Sequence, residues 1–140
     1  MRFWDSSAIV PLLVREEVSE VAVKLLRADT AMVVLWGALV ECESALARRV
    51  RENTLAAAAM KAAGARMKRL SAGWMEVAAG DELRRTALRM LRVHPLRAAD
   101  ALHLAAAFVA ADRAPESLEF VSFDTRLAAA ASLEGFRVLP

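Results

Sequence analysis

Phe120-Val121-Ser122-Phe123-Asp124-Thr125-Arg126-Leu127 reads as a short apolar strand that stops at an acid and turns at once into a helix. The strand is expected over Phe120–Phe123 and the helix from Thr125 to about Leu133. The N-terminal stretch Phe3-Trp4-Asp5-Ser6-Ser7-Ala8 follows the same order. Residues 1–4 form a strand ending at Asp5, and Ser6 and Ser7 cap a helix to about Leu13, with Pro11 tolerated only near its first turn. Two strands that each end on a carboxylate and feed a helix set the reading of the whole chain.

Between them, strands and helices alternate. Val18, Val21, Ala22, Leu25 and Leu26 recur at helical spacing over about 17–28, and Met32 to Trp36 is a compact apolar run suited to a buried parallel strand. A helix follows from Ala38 to about Asn53, and Thr54 is placed to cap another to about Ala72. Trp74–Val77 is a short strand. Gly80 and Asp81 introduce a helix to about Val93 with Leu83, Ala87, Leu88 and Leu91 on one side, which His94-Pro95 breaks. Ala98 to about Ala111 is a buried helix, and Gly135 opens a last strand, Phe136–Leu139. This alternation implies an α/β domain, a parallel sheet of about four to five strands with right-handed crossovers, spanning residues 1–140 as one unit. In such sheets ligands gather at the carboxyl ends of the strands, where Asp5 and Asp124 stand.

Composition narrows the function classes. A chain of 140 residues buries roughly 68–70% of its unfolded surface and needs no disulfide or structural metal to fold. No apolar run is long enough to span a membrane, and an acid at position 5 is wrong for a secretory signal, so a cytoplasmic protein is expected. The single cysteine, Cys42, has no disulfide partner and reads as an inert buried thiol. A net charge of +2 permits a polyanionic partner without requiring one. The arginines cluster at Arg48, Arg49 and Arg51 and at Arg84, Arg85, Arg89 and Arg92; each cluster alone is read as a solvated helix face.

Asp100 lies in the first turn of the apolar segment Leu96–Ala111, where it either satisfies free helix amides or binds a ligand, because an isolated buried charge is costly. With Asp5 and Asp124 it makes a hard-oxygen cation pocket credible, suited to Mg²⁺ or Mn²⁺. Clustered carboxylates repel; a divalent ion removes that penalty and stabilises charge on a phosphate.

Four strings, in order, resemble PIN-domain proteins of the VapC toxin group: Phe3-Trp4-Asp5-Ser6-Ser7-Ala8, Val40-Glu41-Cys42-Glu43-Ser44-Ala45-Leu46-Ala47-Arg48-Arg49, His94-Pro95-Leu96-Arg97-Ala98-Ala99-Asp100-Ala101-Leu102-His103-Leu104-Ala105, and Phe120-Val121-Ser122-Phe123-Asp124-Thr125-Arg126-Leu127. The resemblance covers essentially the whole chain. It implies a PIN-like α/β/α sandwich, a Mg²⁺- or Mn²⁺-dependent endoribonuclease, an RNA substrate, a cognate antitoxin partner and a homodimer. It also implies that Asp5, Glu41, Asp100 and Asp124 are the catalytic and metal-holding acids, with Ser6 as the hydroxyl residue after the first. Some family members carry a further acid two positions after the last aspartate; here that place is Arg126, which weakens the case for a second protein-held ion.

The choice of Glu41 over Glu43 carries a conflict. The two project about 200° apart on a helix, and the apolar stripe of Leu39, Leu46 and Val50 would bury Glu43, whereas Glu41 shares a face with Ala38, Ala45 and Arg48. The family string selects Glu41. Arg97 or Arg126 would bind a neighbouring phosphate or neutralise the pocket, and His103, three residues after Asp100, reads as a buried histidine holding a hydrogen bond. The apolar residues Ile9, Val10, Leu12 and Leu13 and then Val18, Val21, Leu25 and Leu26 offer either core or a groove for an antitoxin segment. The rival readings are a PIN-like module that binds RNA or protein without cutting, a receiver-type signalling domain and a DxD phosphatase. The last two are disfavoured by Ser6 and Ser7 after Asp5 and by lysine only at 24, 61 and 68.

Overall fold

A computed structural model describes residues 1–140. The five expected strands form, all parallel: β1 (Arg2–Trp4), β2 (Met32–Leu35), β3 (Met75–Val77), β4 (Glu119–Val121) and β5 (Arg137–Leu139), in the spatial order β3-β2-β1-β4-β5. In register, Phe3 stands beside Val33 on one flank and Phe120 on the other. The helices are α1 (Ser6–Leu13), α2 (Ser19–Ala28), α3 (Ala38–Arg51), α4 (Ala57–Ser71), α5 (Asp81–Val93), α6 (Ala98–Ala110) and α7 (Thr125–Leu133).

Because successive strand residues face opposite ways, β1 divides the core in two. Phe3 joins Val33, Leu35 and Phe120 under α5, α6 and α7, while Trp4 joins Met32, Val34 and Val121 under α1, α3 and α4. Phe3, Trp4 and Phe120 are fully buried, each stabilising the fold by about 1.5–3 kcal/mol or more for its size. The result is an α/β/α sandwich. No helix is long and apolar enough to cross a membrane.

Several local expectations give way to tertiary packing. Pro11 lies inside α1 rather than in its first turn, and the Ser19 hydroxyl supports that short helix by donating to the carbonyls of Pro11 (2.7 Å) and Val14 (3.2 Å). Thr54 does not cap α4; its hydroxyl donates to the Arg49 carbonyl at the end of α3, and α4 begins three residues later without a side-chain cap. On α5 the buried residues are Leu83, Ala87 and Met90, whereas Leu88 and Leu91 are exposed, because α6 covers only one side of the helix. Trp36 falls past the end of β2 and is exposed, and β4 stops at Val121, so Ser122 and Phe123 separate the strand from Asp124. Of the two readings offered for α1, core holds for Ile9, Val10 and Leu13, which are buried.

Candidate active site

The chain leaves β1 for β2 on one side, while β4 flanks β1 on the other, so the carboxyl ends of β1 and β4 bound the crevice where this class of sheet holds ligands. Asp5 and Asp124 follow those two ends, and each is the N-cap of the helix after it. Asp5 accepts from the Ser7 amide at 3.1 Å and from the Ser7 hydroxyl at 2.9 Å. Asp124 spends only Oδ1, on the amides of Arg126 (2.9 Å) and Leu127 (2.8 Å).

Ser7 joins the two ends. Its Oγ donates to Asp5 and accepts from the amides of Phe123 (2.9 Å) and Asp124 (3.1 Å), while the Asp5 amide donates to the Val121 carbonyl at 3.2 Å. One hydroxyl therefore fixes the spacing of both acids. Sequence reading saw Ser7 only as a helix cap. The detectable signal was a hydroxyl residue two positions after a strand-end aspartate, the spacing of a local side-chain turn.

Asp5 is 4% exposed. Burial raises its carboxyl above the ordinary value, against the opposing pull of His103 and the Ser7 and Ser122 hydrogen bonds. A cation or donor arriving beside it would relieve that desolvation.

Glu41 is held from the other side of the crevice. The Ser6 hydroxyl donates to its Oε2 at 2.9 Å, and His103 Nε2 meets the same oxygen at 2.9 Å and Ser6 Oγ at 3.2 Å. A carboxylate oxygen accepts only, so Nε2 carries the shared proton. Burial pushes the Glu41 carboxyl up, but the His103 and Ser6 hydrogen bonds and the His103 charge outweigh it and hold the group below its ordinary value. Oε1 has no hydrogen-bond partner. His103 is buried, as expected, and the bond it holds is to a site residue.

Glu43 is exposed, contrary to the stripe argument. The buried face of α3, packed against α1 and α4, is Ala38, Cys42 and Leu46, while Leu39 and Val50 are exposed. Close approach favours small side chains over strongly apolar ones, and a count of hydrophobicity misses that. Cys42 is buried, its thiol pushed up to about 12 by burial and then by the charges of Glu41 and Asp5. It is inert at neutral pH, as expected.

Asp100 is half-buried in the first turn of α6, and its side chain caps nothing; the N-cap position, Arg97, makes no side-chain bond either. It sits one turn before His103, about 4.5 Å along the axis, which brings the start of α6 toward Glu41. Arg97, Thr125 and Arg126 are exposed.

No three His, Cys, Asp or Glu side chains stand close enough to hold a metal ion by themselves. The donors fit a hard cation in kind, since all four acids offer carboxylate oxygens, and Glu41 Oε1, Asp124 Oδ2 and both Asp100 oxygens are unspent.

The architecture is that of a PIN-like α/β/α sandwich. VapC20 of Mycobacterium tuberculosis, a toxin that cleaves the sarcin–ricin loop, superposes with a TM-score of 0.69 at 24% identity over 100% of both chains. PAE2754 of Pyrobaculum aerophilum superposes with a TM-score of 0.63 at 20% identity, over 92% of this chain and 83% of that one. Identities this low establish the fold alone. No protein-family model matches the sequence, and no curated protein matches it.

Proposed function

We propose that this chain is a metal-dependent endoribonuclease that hydrolyses RNA phosphodiester bonds and acts as the toxin of a toxin–antitoxin pair. The observation that carries the reading is the juxtaposition of Asp5 and Asp124 at the crevice, spaced by Ser7, with Glu41 held ionised nearby. Asp5, Asp100 and Asp124 would hold Mg²⁺ or Mn²⁺, partly through water, and Glu41 would either complete the set or act as the base. Bound there, such an ion lowers the pKa of water and neutralises charge on the phosphate. As the base, Glu41 Oε1 accepts a proton of the attacking water while the water oxygen bonds to phosphorus; the ester P–O bond breaks and the departing alkoxide takes a proton from solvent. His103 and Ser6 keep that carboxylate ionised and aimed. Residues 1–140 act in this reading as a single PIN unit in the cytoplasm, with a cognate antitoxin and a second copy of the chain as partners; the resemblance supports these assignments.

The test is RNA cleavage with Mn²⁺ against an EDTA control, using wild type, Asp5→Asn and Asp124→Asn. Both variants are expected to lose cleavage while keeping their circular dichroism spectrum. Equal, metal-dependent cleavage by both would refute the assignment. The absence of a ready three-ligand metal cage favours one rival, a non-catalytic RNA-binding module. Wild-type protein that binds RNA and never cuts it would select that rival.

A further inference from the structure

A cavity of about 640 Å³ lies between α3 and α4 and shares no residue with the acids of the crevice. Its apolar lining is Leu39, Val40 and Ala47 from α3 and Met67 from α4. Leu39 is 38% and Val40 65% exposed, so two branched side chains at one groove stand in water uncovered by their own chain. Single exposed apolar residues are ordinary, but neighbours that line one groove mark a surface made to be covered.

Gly64 adds a second observation. It sits at the middle of the 15-residue α4 and lines the same cavity. Glycine weakens a helix interior because it has more backbone freedom to lose than alanine. Within a helix it serves where a neighbour comes too close for a side chain, yet a Cβ at Gly64 would meet nothing within 4 Å. Nothing inside this chain needs the glycine, and the close approach it permits is open to a second molecule.

The charges decide which molecule fits. Glu43 lines the cavity from α3 and Lys68 from α4; both are exposed and neither enters an ion pair. A two-fold axis repeats every contact between residue i and the partner's residue j as a contact between j and the partner's i. A groove with one unpaired acid and one unpaired base on facing helices is therefore complementary to its own copy.

We propose that the α3–α4 groove is where a second copy of this chain docks, related by a two-fold axis, with Glu43 of each copy against Lys68 of the other and a close helix crossing at Gly64. The proposal rests on the second-copy part of the functional reading and gives it a face. The nuclease stands or falls separately, since association is measured with neither RNA nor metal present.

The experiment is sedimentation velocity over a concentration series, in which wild type is expected to dimerise. Glu43→Lys and Lys68→Glu each set like charges together twice and are expected to weaken association about tenfold or more. Mixed in equal amounts, the two variants are expected to associate as tightly as wild type, because both cross-pairs then join opposite charges. A pair within one chain, or a groove for a foreign peptide, gives no such rescue. Gly64→Leu puts a better helix former into open space, so it is expected to dissociate the dimer while the far-ultraviolet circular dichroism stays that of wild type. Arg85→Glu, exposed on α5 in the other helical layer, is the charge control and should dimerise as wild type. A wild-type dimer indifferent to all three groove variants would overturn the proposal and leave the second-copy reading standing. A wild type that stays monomeric would remove both. Single variants that dissociate and do not recover on mixing would also overturn the two-fold pairing.

Discussion

Two glutamate–histidine pairs in this molecule look alike and do opposite things. Glu41 meets His103 Nε2 at 2.9 Å, and Glu134 meets His94 Nε2 at 2.7 Å. Both carboxyls lie below their ordinary value: in each, burial raises it and hydrogen bonds more than compensate, from His103 and Ser6 in one and from Arg89 and His94 in the other. The difference lies in what is left over. Arg89 grips Glu134 through both oxygens, at 3.1 and 2.6 Å, so that the pair ties α5 to the end of α7 and has no valence to offer. At Glu41 both donors share Oε2, Oε1 is unspent, and the side chain is 35% exposed beside the over-buried Asp5. A buried acid paired with histidine is therefore no mark of a site by itself; Glu41 differs from Glu134 in the oxygen it keeps free.

The sharpest way to break this contrast is to neutralise each glutamate in turn. Glu41→Gln is expected to lower cleavage about 10²–10⁴-fold, the range for a lost general base, with a smaller loss of stability than Glu134→Gln because no arginine grips it. Glu134→Gln should leave cleavage intact and cost about 1.5–3 kcal/mol at neutral pH, read from urea unfolding. Comparable loss of cleavage in both variants would end the distinction. The Glu134 effect also has a signed pH dependence. Its folded value is depressed, so the stabilisation is present above the unfolded value of about 4.5 and fades as pH falls through the folded value. The stability gap between wild type and Glu134→Gln should accordingly close in acid; a gap unchanged to the acid limit would contradict the pairing.

Ser7→Ala sharpens the comparison from the other direction, since it touches neither glutamate. It removes the acceptor for the Phe123 amide, whereas the Asp124 amide keeps Ser122 Oγ at 3.1 Å. The expected loss is about 1–3 kcal/mol in stability, with reduced cleavage from a displaced Asp124. Full activity with unchanged stability would show that the two strand ends hold their spacing without it. The smallest effect is expected at Cys42, buried on the face of α3 next to Glu41. With its thiol near 12, iodoacetamide at neutral pH should label it only when the chain is unfolded, and rapid native labelling would mean that α3 lifts from its neighbours.

Much of the fold was legible because its signals are local. The strands and helices follow from apolar runs and periodicity, and α7 begins and ends where Thr125 and Leu133 predicted. The strand-end acids were visible because a carboxylate at a strand-to-helix turn is a one-dimensional pattern. The errors share a cause. Leu88, Leu91 and Glu43 were assigned to faces by hydrophobicity, but which side of a helix is covered depends on where its neighbours lie, and α3 is covered by α1 and α4 on Ala38, Cys42 and Leu46. Thr54 suited a cap chemically, yet the nearer acceptor was the end of the preceding helix.

From the order of its residues alone, this chain determined an alternating α/β domain and two acids, Asp5 and Asp124, at the strand-to-helix turns where such sheets do their binding. Propensity and capping act over a few residues, so these features need no knowledge of the rest of the molecule. Only the tertiary structure decided that β1 and β4 are neighbours, that Ser7 spans them across 116 residues, and that His103 and Ser6 spend one oxygen of Glu41 and spare the other. Those are contacts between distant segments, and their geometry exists only once the sheet has been assembled.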